Sequence, residues 1–550
     1  MQKLKKLLQK IDAYFFPSLF IGFIFLIPLY PKFPLIPVNF TYIAIRFEDI
    51  YFVLLSIVFF IYLLRRRYKI DLDIFKWFVL FWISIFISYF AGVFFLKTID
   101  FPKVGFLHTL RRVEYMLPFF YASVLARSKK DLLRYLNIFL FVVLLVNLYA
   151  LGQRYLNFPA VQTMNPEYAK GRLLFLTPEA RVSSTFAGHY DLAAYLVVFI
   201  PIIIACQIYS GSKRLLVLLA LSIYTLILTV SRISFIAYVV SLFLMLVYLR
   251  RFKYLVMVIV LTALLSFGNK TLFERFTRTF QVKQVFINEE TGQVYIPQQI
   301  RPDELPAGSF FIKVDQNEFI EKLAQEQTSK EELIKAEQRA LRDIAIKAGI
   351  STYEADLIAK TRDYKKLEEK IKRNKTLQEE LRNLKPLISK ETIEENQQRA
   401  QEYLKPATTI LSDISFATRI QIEWPRAIAA FLSSPIIGFG ASSLTEATDN
   451  DYLRWLGEFG ILGTFLFLYI VVKKILTAFI KTHRILYKKK DKFHLIFAGI
   501  SAAIIGLLVN ATYIDVFEAS KVAFTFWMIS GIFYPVSRKI LTQYAKDSKK

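Results

Sequence analysis

Stretches of 17–22 residues with almost no charge recur along this chain. Inside a bilayer no water is on hand to satisfy the backbone. Every N–H and C=O must pair within its own segment, so stretches of this length fold as membrane-crossing helices. With 55% hydrophobic residues and 52 Phe in 550 positions, the chain carries more apolar surface than a soluble protein of its size has core to bury it in. Twelve spans are expected, near 15–31, 49–64, 75–96, 107–126, 134–151, 190–209, 214–230, 233–249, 254–268, 458–472, 494–511 and 519–536. The fold class is therefore an all-α polytopic membrane protein. The first stretch follows Lys3, Lys5, Lys6 and Lys10, but no small-residue cleavage site comes after it, so it reads as the first span and not as a signal peptide.

A formal net charge of +26 suggests a nucleic-acid partner until its distribution is seen. Residues 311–410 hold 20 Lys+Arg against 19 Asp+Glu, so the excess sits elsewhere, in short clusters between the apolar runs. Those clusters alternate. Arg65, Arg66 and Arg67 follow span two; Arg127, Lys129 and Lys130 follow span four; Lys213 and Arg214 follow span six. Arg250, Arg251 and Lys253 follow span eight, Lys473, Lys474 and Lys488 follow span ten, and Arg538, Lys539 and Lys546 follow span twelve. Basic residues mark cytoplasmic loops, so both termini are expected in the cytoplasm and no nucleic-acid partner is expected.

Two segments then fall on the outer side, 152–189 and 269–457. The chain divides into a membrane bundle at 1–268, a large extracytoplasmic loop at 269–457 and a second membrane bundle at 458–550. Within the loop, 316–405 is polar and mixed in charge. Ser329 with Glu332 and Ser351 with Glu354 have the spacing of helix capping boxes. Tyr364, Leu367, Ile371, Leu377, Leu381 and Leu384 recur at three- and four-residue steps, as in a helical hairpin or short coiled coil. A solvated spacer and a docking arm for a partner are both open readings of it. Residues 415–437 alternate apolar groups with Arg419, Glu423 and Arg426, the pattern of an amphipathic helix at the membrane surface.

Charge at membrane depth costs roughly 2.5–3.5 kcal/mol on insertion scales, which makes each such residue a site candidate. Arg232 is the sole charge in the 35 residues 215–249. It either snorkels to the interface from a tight turn at 231–234 or serves a site there. His108, Arg111, Arg112 and Glu114 come at the outer end of span four, Arg181, His189 and Asp191 at that of span six, and Glu458 at the start of span ten. The expected topology puts all of these on one face. Guanidinium groups bind phosphate bidentately and stay charged, so several arginines on a membrane surface suit an anionic, lipid-linked ligand. The sole cysteine, Cys206, excludes an intramolecular disulfide, and four His are too few for a His-rich metal centre.

Several stretches resemble the O-antigen ligase and O-antigen polymerase superfamily of bacterial membrane glycosyltransferases. Thr229-Val-Ser-Arg-Ile-Ser234 is similar to the family's S-R-G/A turn between spans. Arg419 through Ala430 resembles an R-x-x-x-W-x-x-A helix, with Trp424 displaced by one step. Ser434-Pro-Ile-Ile-Gly-Phe-Gly440 is similar to P-x-x-G-x-G. Asp449-Asn-Asp-Tyr-Leu453, running to Glu458-Phe-Gly-Ile-Leu-Gly463, is similar to H-N-x-Y-L…E-x-G-x-x-G. Arg181 through Tyr195 resembles R-x-x-G-T-x-x-x-x-x-L-A, with Ser184 in the glycine place. The resemblance covers roughly 100–535 apart from the 316–405 insertion. In many O-antigen ligases a histidine stands where this chain has Asp449, so ligase, polymerase and other branches stay open.

The resemblance implies a GT-C-like fold and transfer of a glycan from an undecaprenyl-pyrophosphate carrier to a glycan, lipid or protein acceptor. The reaction would occur on the outer face of the bacterial cytoplasmic membrane, among membrane lipid, by an inverting and metal-independent route. No Walker loop or G-x-G-x-x-G is found, and no cofactor is expected. A D-x-D is present at Asp449–Asp451, and the resemblance accounts for that segment without a metal. Under this reading Arg232 and Arg419 hold the pyrophosphate, and Asp449 takes the acceptor proton, with His189 as the second candidate. Arg181, Arg426, Arg111, Arg112, Asn450, Tyr452 and Glu458 complete the substrate-binding set, Glu458 by orienting an arginine. A carrier or flippase for lipid-linked sugars is the alternative.

Overall fold

The computed structural model describes residues 2–37, 44–163, 170–177, 180–267, 280–288, 294–295, 330–361, 363–372, 374–384, 404–412, 418–444 and 448–548. The chain forms two compact units, one made of Met1–Phe276 with Ala417–Lys550 and the other of Thr277–Phe416. Residues 417–457, assigned to the large loop from the sequence, pack with the first unit.

Among the described residues the first unit is helical apart from two short antiparallel pairs, Ile36–Pro37 with Ala44–Ile45 and Pro159–Ala160 with Leu174–Phe175. In chain order it contains α1 (Gln2–Leu29), α2 (Phe47–Leu64), α3 (Leu72–Phe90), α4 (Pro102–Met116), α5 (Pro118–Leu125), α6 (Lys129–Tyr155), α7 (His189–Ser210), α8 (Lys213–Thr229), α9 (Arg232–Tyr248) and α10 (Phe252–Phe267). After the second unit come α11 (Trp424–Ser433), α12 (Asp451–Leu468), α13 (Thr477–Lys488), α14 (His494–Asn510) and α15 (Ser520–Asp547). Each of the twelve apolar segments read from the sequence coincides with helix. Among the described residues, six helical stretches are long and apolar enough to cross a membrane: Asp12–Leu29, Phe47–Leu64, Leu72–Phe95, Lys129–Tyr155, His189–Ser210 and Asp451–Lys488.

Two of the segments are interrupted. Pro118 has no N–H to bond back to Glu114, so the segment near 107–126 is two helices, α4 and α5. Gly460, at φ 62° and ψ −166°, breaks α12 just after Glu458, in a backbone region that is essentially glycine-only.

The centre of the unit is α7, buried from Leu192 through Gln207. Small residues let its neighbours approach: a Cβ on Gly499 of α14 would stand 2.6 Å from the Ala205 Cβ, and one on Gly506 would stand 2.9 Å from Val197. Peripheral helices turn apolar side chains outward, among them Val53, Ile57, Ile83, Phe141, Phe243 and Ile259, each about half exposed. A continuous outer coat of this kind suits lipid, not water.

The helix ends differ in chemistry. At one end basic clusters meet acids: Arg67 pairs with Asp12, Lys129 with Asp491, Lys474 with Asp73 at 3.4 Å and Arg538 with Asp71 at 3.2 Å. At the other end lie the candidate site residues.

The second unit departs from the all-α expectation. Phe280–Asn288 pairs antiparallel with both Val294–Tyr295 and Leu404–Ser412. These strands are rich in Val, Ile and Thr, but the longer pairing joins segments over a hundred residues apart, which local periodicity does not reveal. The apolar repeat read as a hairpin or coiled coil is instead cut into short helices, Lys330–Lys347, Thr352–Thr361, Tyr364–Lys370 and Lys375–Leu384. They fold back on a small core that includes Leu341, Ile358, Leu367, Ile371, Leu377 and Leu381. Ser351 does cap as expected, its Oγ accepting from the Glu354 N–H at 3.4 Å. Ser329 and residues 415–417 lie outside the described residues.

Candidate active site

The two glycine-bearing motifs interlock. The turn 434–440 lies against 457–462, with the Phe439 N–H donating to the Gly457 carbonyl at 2.9 Å and the Gly440 N–H to that of Glu458 at 2.8 Å. The Ile461 N–H returns the contact to Pro435 at 2.8 Å. Gly438 and Gly440 have φ of 70° and 91°, and a Cβ on Gly438 would stand 2.5 Å from the Glu458 carbonyl oxygen. This clasp fixes Glu458, which is 1% exposed. Its Oε2 lies 2.6 Å from Arg112 Nη2, and its Oε1 accepts the Ser442 N–H at 3.2 Å. Arg112 also meets Glu518 at 3.1 Å. Glu458 therefore orients an arginine, and the partner of Arg112 is not its helix neighbour Glu114.

The next layer is built on the connector 511–519 between α14 and α15. Asn450 caps α12 by accepting the Leu453 N–H at 3.1 Å, and its amide donates to the Thr512 carbonyl at 2.9 Å. Asp451 accepts the N–H groups of Val516 and Phe517 at 2.8 and 3.1 Å. Arg454 pairs with Asp515 at 2.9 Å. The Tyr452 hydroxyl donates to the Leu508 carbonyl at 2.7 Å. Asn450 and Tyr452, read as substrate contacts, thus spend these polar groups on holding the connector and the end of α14, respectively. The two carboxylates of the D-x-D go to different partners, since Asp449 faces Arg419.

Arg419 is 3% exposed. Its Nη2 lies 2.5 Å from the Asp449 carboxylate, and its guanidinium sits over the Tyr513 ring, 4.3 Å from the centroid. It opens a wide π-type turn, Arg419–Glu423, in which the Trp424 N–H reaches the Arg419 carbonyl five residues back. The turn also buries Glu423 (8% exposed), whose Oε2 has no hydrogen-bond partner among the described residues.

Burial pushes Asp449 up from the usual carboxylate range, against the opposing pull of Arg419. Burial, with Asp449 adding to it, pushes Glu423 up to about 7. A raised acid keeps its proton in the folded state where the unfolded chain has lost it. Glu423 therefore takes stability away as pH rises from its ordinary 4.5 to about 7. The melting temperature in detergent should fall across that window in wild type and fall less in Glu423→Gln; parallel declines would contradict the assignment.

A second cluster gathers at the start of α7. Arg181 Nη1 lies 2.7 Å from His189 Nε2, so that ring nitrogen accepts from the guanidinium and is occupied as a base. Ser184, in the glycine place of the motif, has φ 51° and is clamped by Gln153, whose side chain accepts its N–H at 2.7 Å and donates to its carbonyl at 2.8 Å. The turn before α9 belongs to the same end: Ser231 bonds Ser234 at 2.8 Å, and Ser234 and Asn510 bond each other at 3.1 Å.

A cavity of about 320 Å³ opens between these clusters. It is lined from α4 by His108, Arg111 and Tyr115, from the start of α7 by Tyr190 and Asp191, and opposite them by Asp449, Arg454, Asp515 and Glu518. The structure therefore brings Arg111 and Asp449 to one cavity, with Arg112 and Arg419 one contact behind and Glu458 behind Arg112. Arg232, Arg181 and Arg426 do not line it; Arg232 starts the helix that Asn510 touches. Sequence reasoning missed Glu423, Arg454, Asp515 and Glu518 as site residues. The signal was present: Arg419 and Glu423, like Arg454 and Glu458, stand four residues apart on helical patterns, and Asp515 and Glu518 are the acids of a short loop between two apolar runs.

Compared with models of protein families the chain matches none, and no curated protein matches it either.

Proposed function

We propose that this chain is a polytopic membrane glycosyltransferase with twelve spans, both termini cytoplasmic and its site on the outer face of the bacterial cytoplasmic membrane. It moves a glycan from undecaprenyl pyrophosphate to an acceptor hydroxyl, as in O-antigen ligases and polymerases. The observation that carries this reading is that two of the motif stretches, 181–195 and 449–463, meet at one cavity at one end of the helices, with Arg419 of a third stretch against Asp449. Two of the three departures from the family pattern are also accommodated. Ser184 adopts a left-handed conformation where the pattern has glycine, and the wide turn at Arg419–Glu423 takes up the one-residue displacement of Trp424. The gathering of basic clusters at the opposite helix ends supports the orientation.

The reaction needs a leaving group stabilised and a proton removed. Donor pyrophosphate competes with Asp449 for the Arg419 guanidinium, and Arg232 approaches from the start of α9. As Arg419 turns to the phosphate, the Asp449 carboxylate is left with its proton affinity raised, beside the cavity. The acceptor oxygen attacks the anomeric carbon, the bond to pyrophosphate breaks with its electron pair leaving on the phosphate, and the acceptor proton passes to Asp449. In-line attack inverts the anomeric configuration.

The test is release of free undecaprenyl pyrophosphate by protein in nanodiscs given a lipid-linked glycan and a panel of acceptors. Acceptor-dependent release lost in Asp449→Asn is expected. Release independent of acceptor would overturn the transferase reading.

A further inference from the structure

The cavity's own charge is the reverse of what a phosphate site needs. Its wall presents four carboxylates, Asp191, Asp449, Asp515 and Glu518, against two guanidinium groups, Arg111 and Arg454. Arg454 is already matched by Asp515 at 2.9 Å. Asp191, in the first turn of α7, has no hydrogen bond or ion pair among the described residues. The ammonium groups behind it are committed: Lys32 to Glu48 and Ser520, and Lys521 to the carbonyls of Tyr30 and Thr185, both at 2.6 Å, and of Pro28 at 3.2 Å. The second unspent group is Tyr115. It is 5% exposed and lines the cavity, and its hydroxyl has no hydrogen-bond partner among the described residues. With the rest of the ring buried, that hydroxyl is open to bond a donor or acceptor that enters the cavity.

We infer that this cavity is the acceptor's subsite and takes a single sugar ring rich in hydrogen-bond donors, preferring a ring with a free amine and refusing phosphate and acidic sugars. The inference rests on the transferase reading for the word acceptor and on the cavity alone for its preference. Its volume is at the small end of ligand sites, which run from about 300 to 1,000 Å³, so it suits one ring and not an oligosaccharide. Asp191 and Glu518 accept from hydroxyl or ammonium donors, Tyr115 offers its hydroxyl, and the Tyr190 ring gives the apolar face of a pyranose a surface to lie on. Like charge on the carboxylate wall turns away anions. The pyrophosphate then belongs outside the cavity, with Arg419 behind Asp449 and Arg232 beyond the connector, and the two substrates meet at Asp449.

The experiment is ligand-observed saturation-transfer NMR on the full chain in nanodiscs, with glucosamine, glucose, glucuronate and inorganic pyrophosphate. Glucosamine should bind most tightly, glucose more weakly, and neither glucuronate nor pyrophosphate should displace glucosamine. Asp191→Asn should weaken glucosamine at least about tenfold, the loss expected when a charge-assisted hydrogen bond goes. Ala187→Leu narrows the same wall without removing charge and should weaken all the sugars together, with the melting temperature held as a check on folding. Displacement by pyrophosphate or glucuronate, or glucosamine binding unchanged in both variants, would overturn the inference. Carrier release measured on the same preparation separates the two readings: sugar binding without acceptor-dependent release would remove the transferase and leave the cavity's preference standing.

Discussion

Arg419→Ala should lower acceptor-dependent carrier release about 100- to 1,000-fold, the range lost when a preorganised transition-state donor is removed. The guanidinium is buried against the Tyr513 ring, which keeps it in place once the bound donor has taken it from Asp449 and the pyrophosphate charge develops. Its removal also leaves the Asp449 carboxylate without its partner in the structure, next to Glu423. Asp449 is 35% exposed, so part of that loss is relieved by water and by protonation. Arg419→Lys should recover little, because an ammonium reproduces neither the stacking on Tyr513 nor bidentate contact with phosphate. The measurement is the release rate at saturating donor and acceptor. A variant within about threefold of wild type would remove Arg419 from the chemistry and leave it a structural partner of Asp449.

Gly460→Ala should cost more than about 4 kcal/mol and abolish recovery of folded protein. Its φ of 62° with ψ of −166° costs a non-glycine residue roughly 1–3 kcal/mol alone. A Cβ there would also overlap the Ile436 backbone and stand 2.6 Å from the Ile437 nitrogen. Neither backbone can retreat, because the turn 434–440 is tied to 457–462 by main-chain hydrogen bonds on both sides. The control is Gly211→Ala. Gly211 also has positive φ, 69°, but nothing lies within 4 Å of its added Cβ, so the expected cost is only about 1 kcal/mol. Melting temperature and the monodisperse fraction from size exclusion measure both. Equal behaviour of the two variants would mean that the clasp around Glu458 is not rigid.

The helices were legible because hydrocarbon permits so few solutions. Apolar runs of spanning length marked twelve segments that fold as helix, though not the short amphipathic α11 and α13, and the basic clusters fall at the opposite helix ends from the site residues. The break at Pro118 escaped the reading of 107–126 as one span, although the missing N–H is a signal for it. The break at Gly460 carries less of a signal, since glycine in an apolar run gives no sign of whether another backbone will press against it. Site residues were legible where a charge stood out against apolar surroundings, as with Arg112, Arg419 and Glu458. They were not legible where a carboxylate sat in a short loop, as with Asp515 and Glu518, because only the fold shows that the 511–519 connector is the hub to which Asn450, Asp451 and Arg454 are tied. The wide turn at Arg419–Glu423 was visible only as a one-step displacement of Trp424. The sheet in the second unit escaped because its strands are far apart in sequence.

The most direct test of the account uses sealed proteoliposomes of known sidedness, loaded with undecaprenyl-pyrophosphate glycan and given a membrane-impermeant acceptor on one side at a time. The account predicts one carrier released per acceptor glycosylated, with the anomeric configuration inverted, only when the acceptor is on the side opposite the basic loops. Donor that binds and crosses the bilayer with no glycosylated acceptor on either side would contradict it and leave a carrier of lipid-linked sugars in its place.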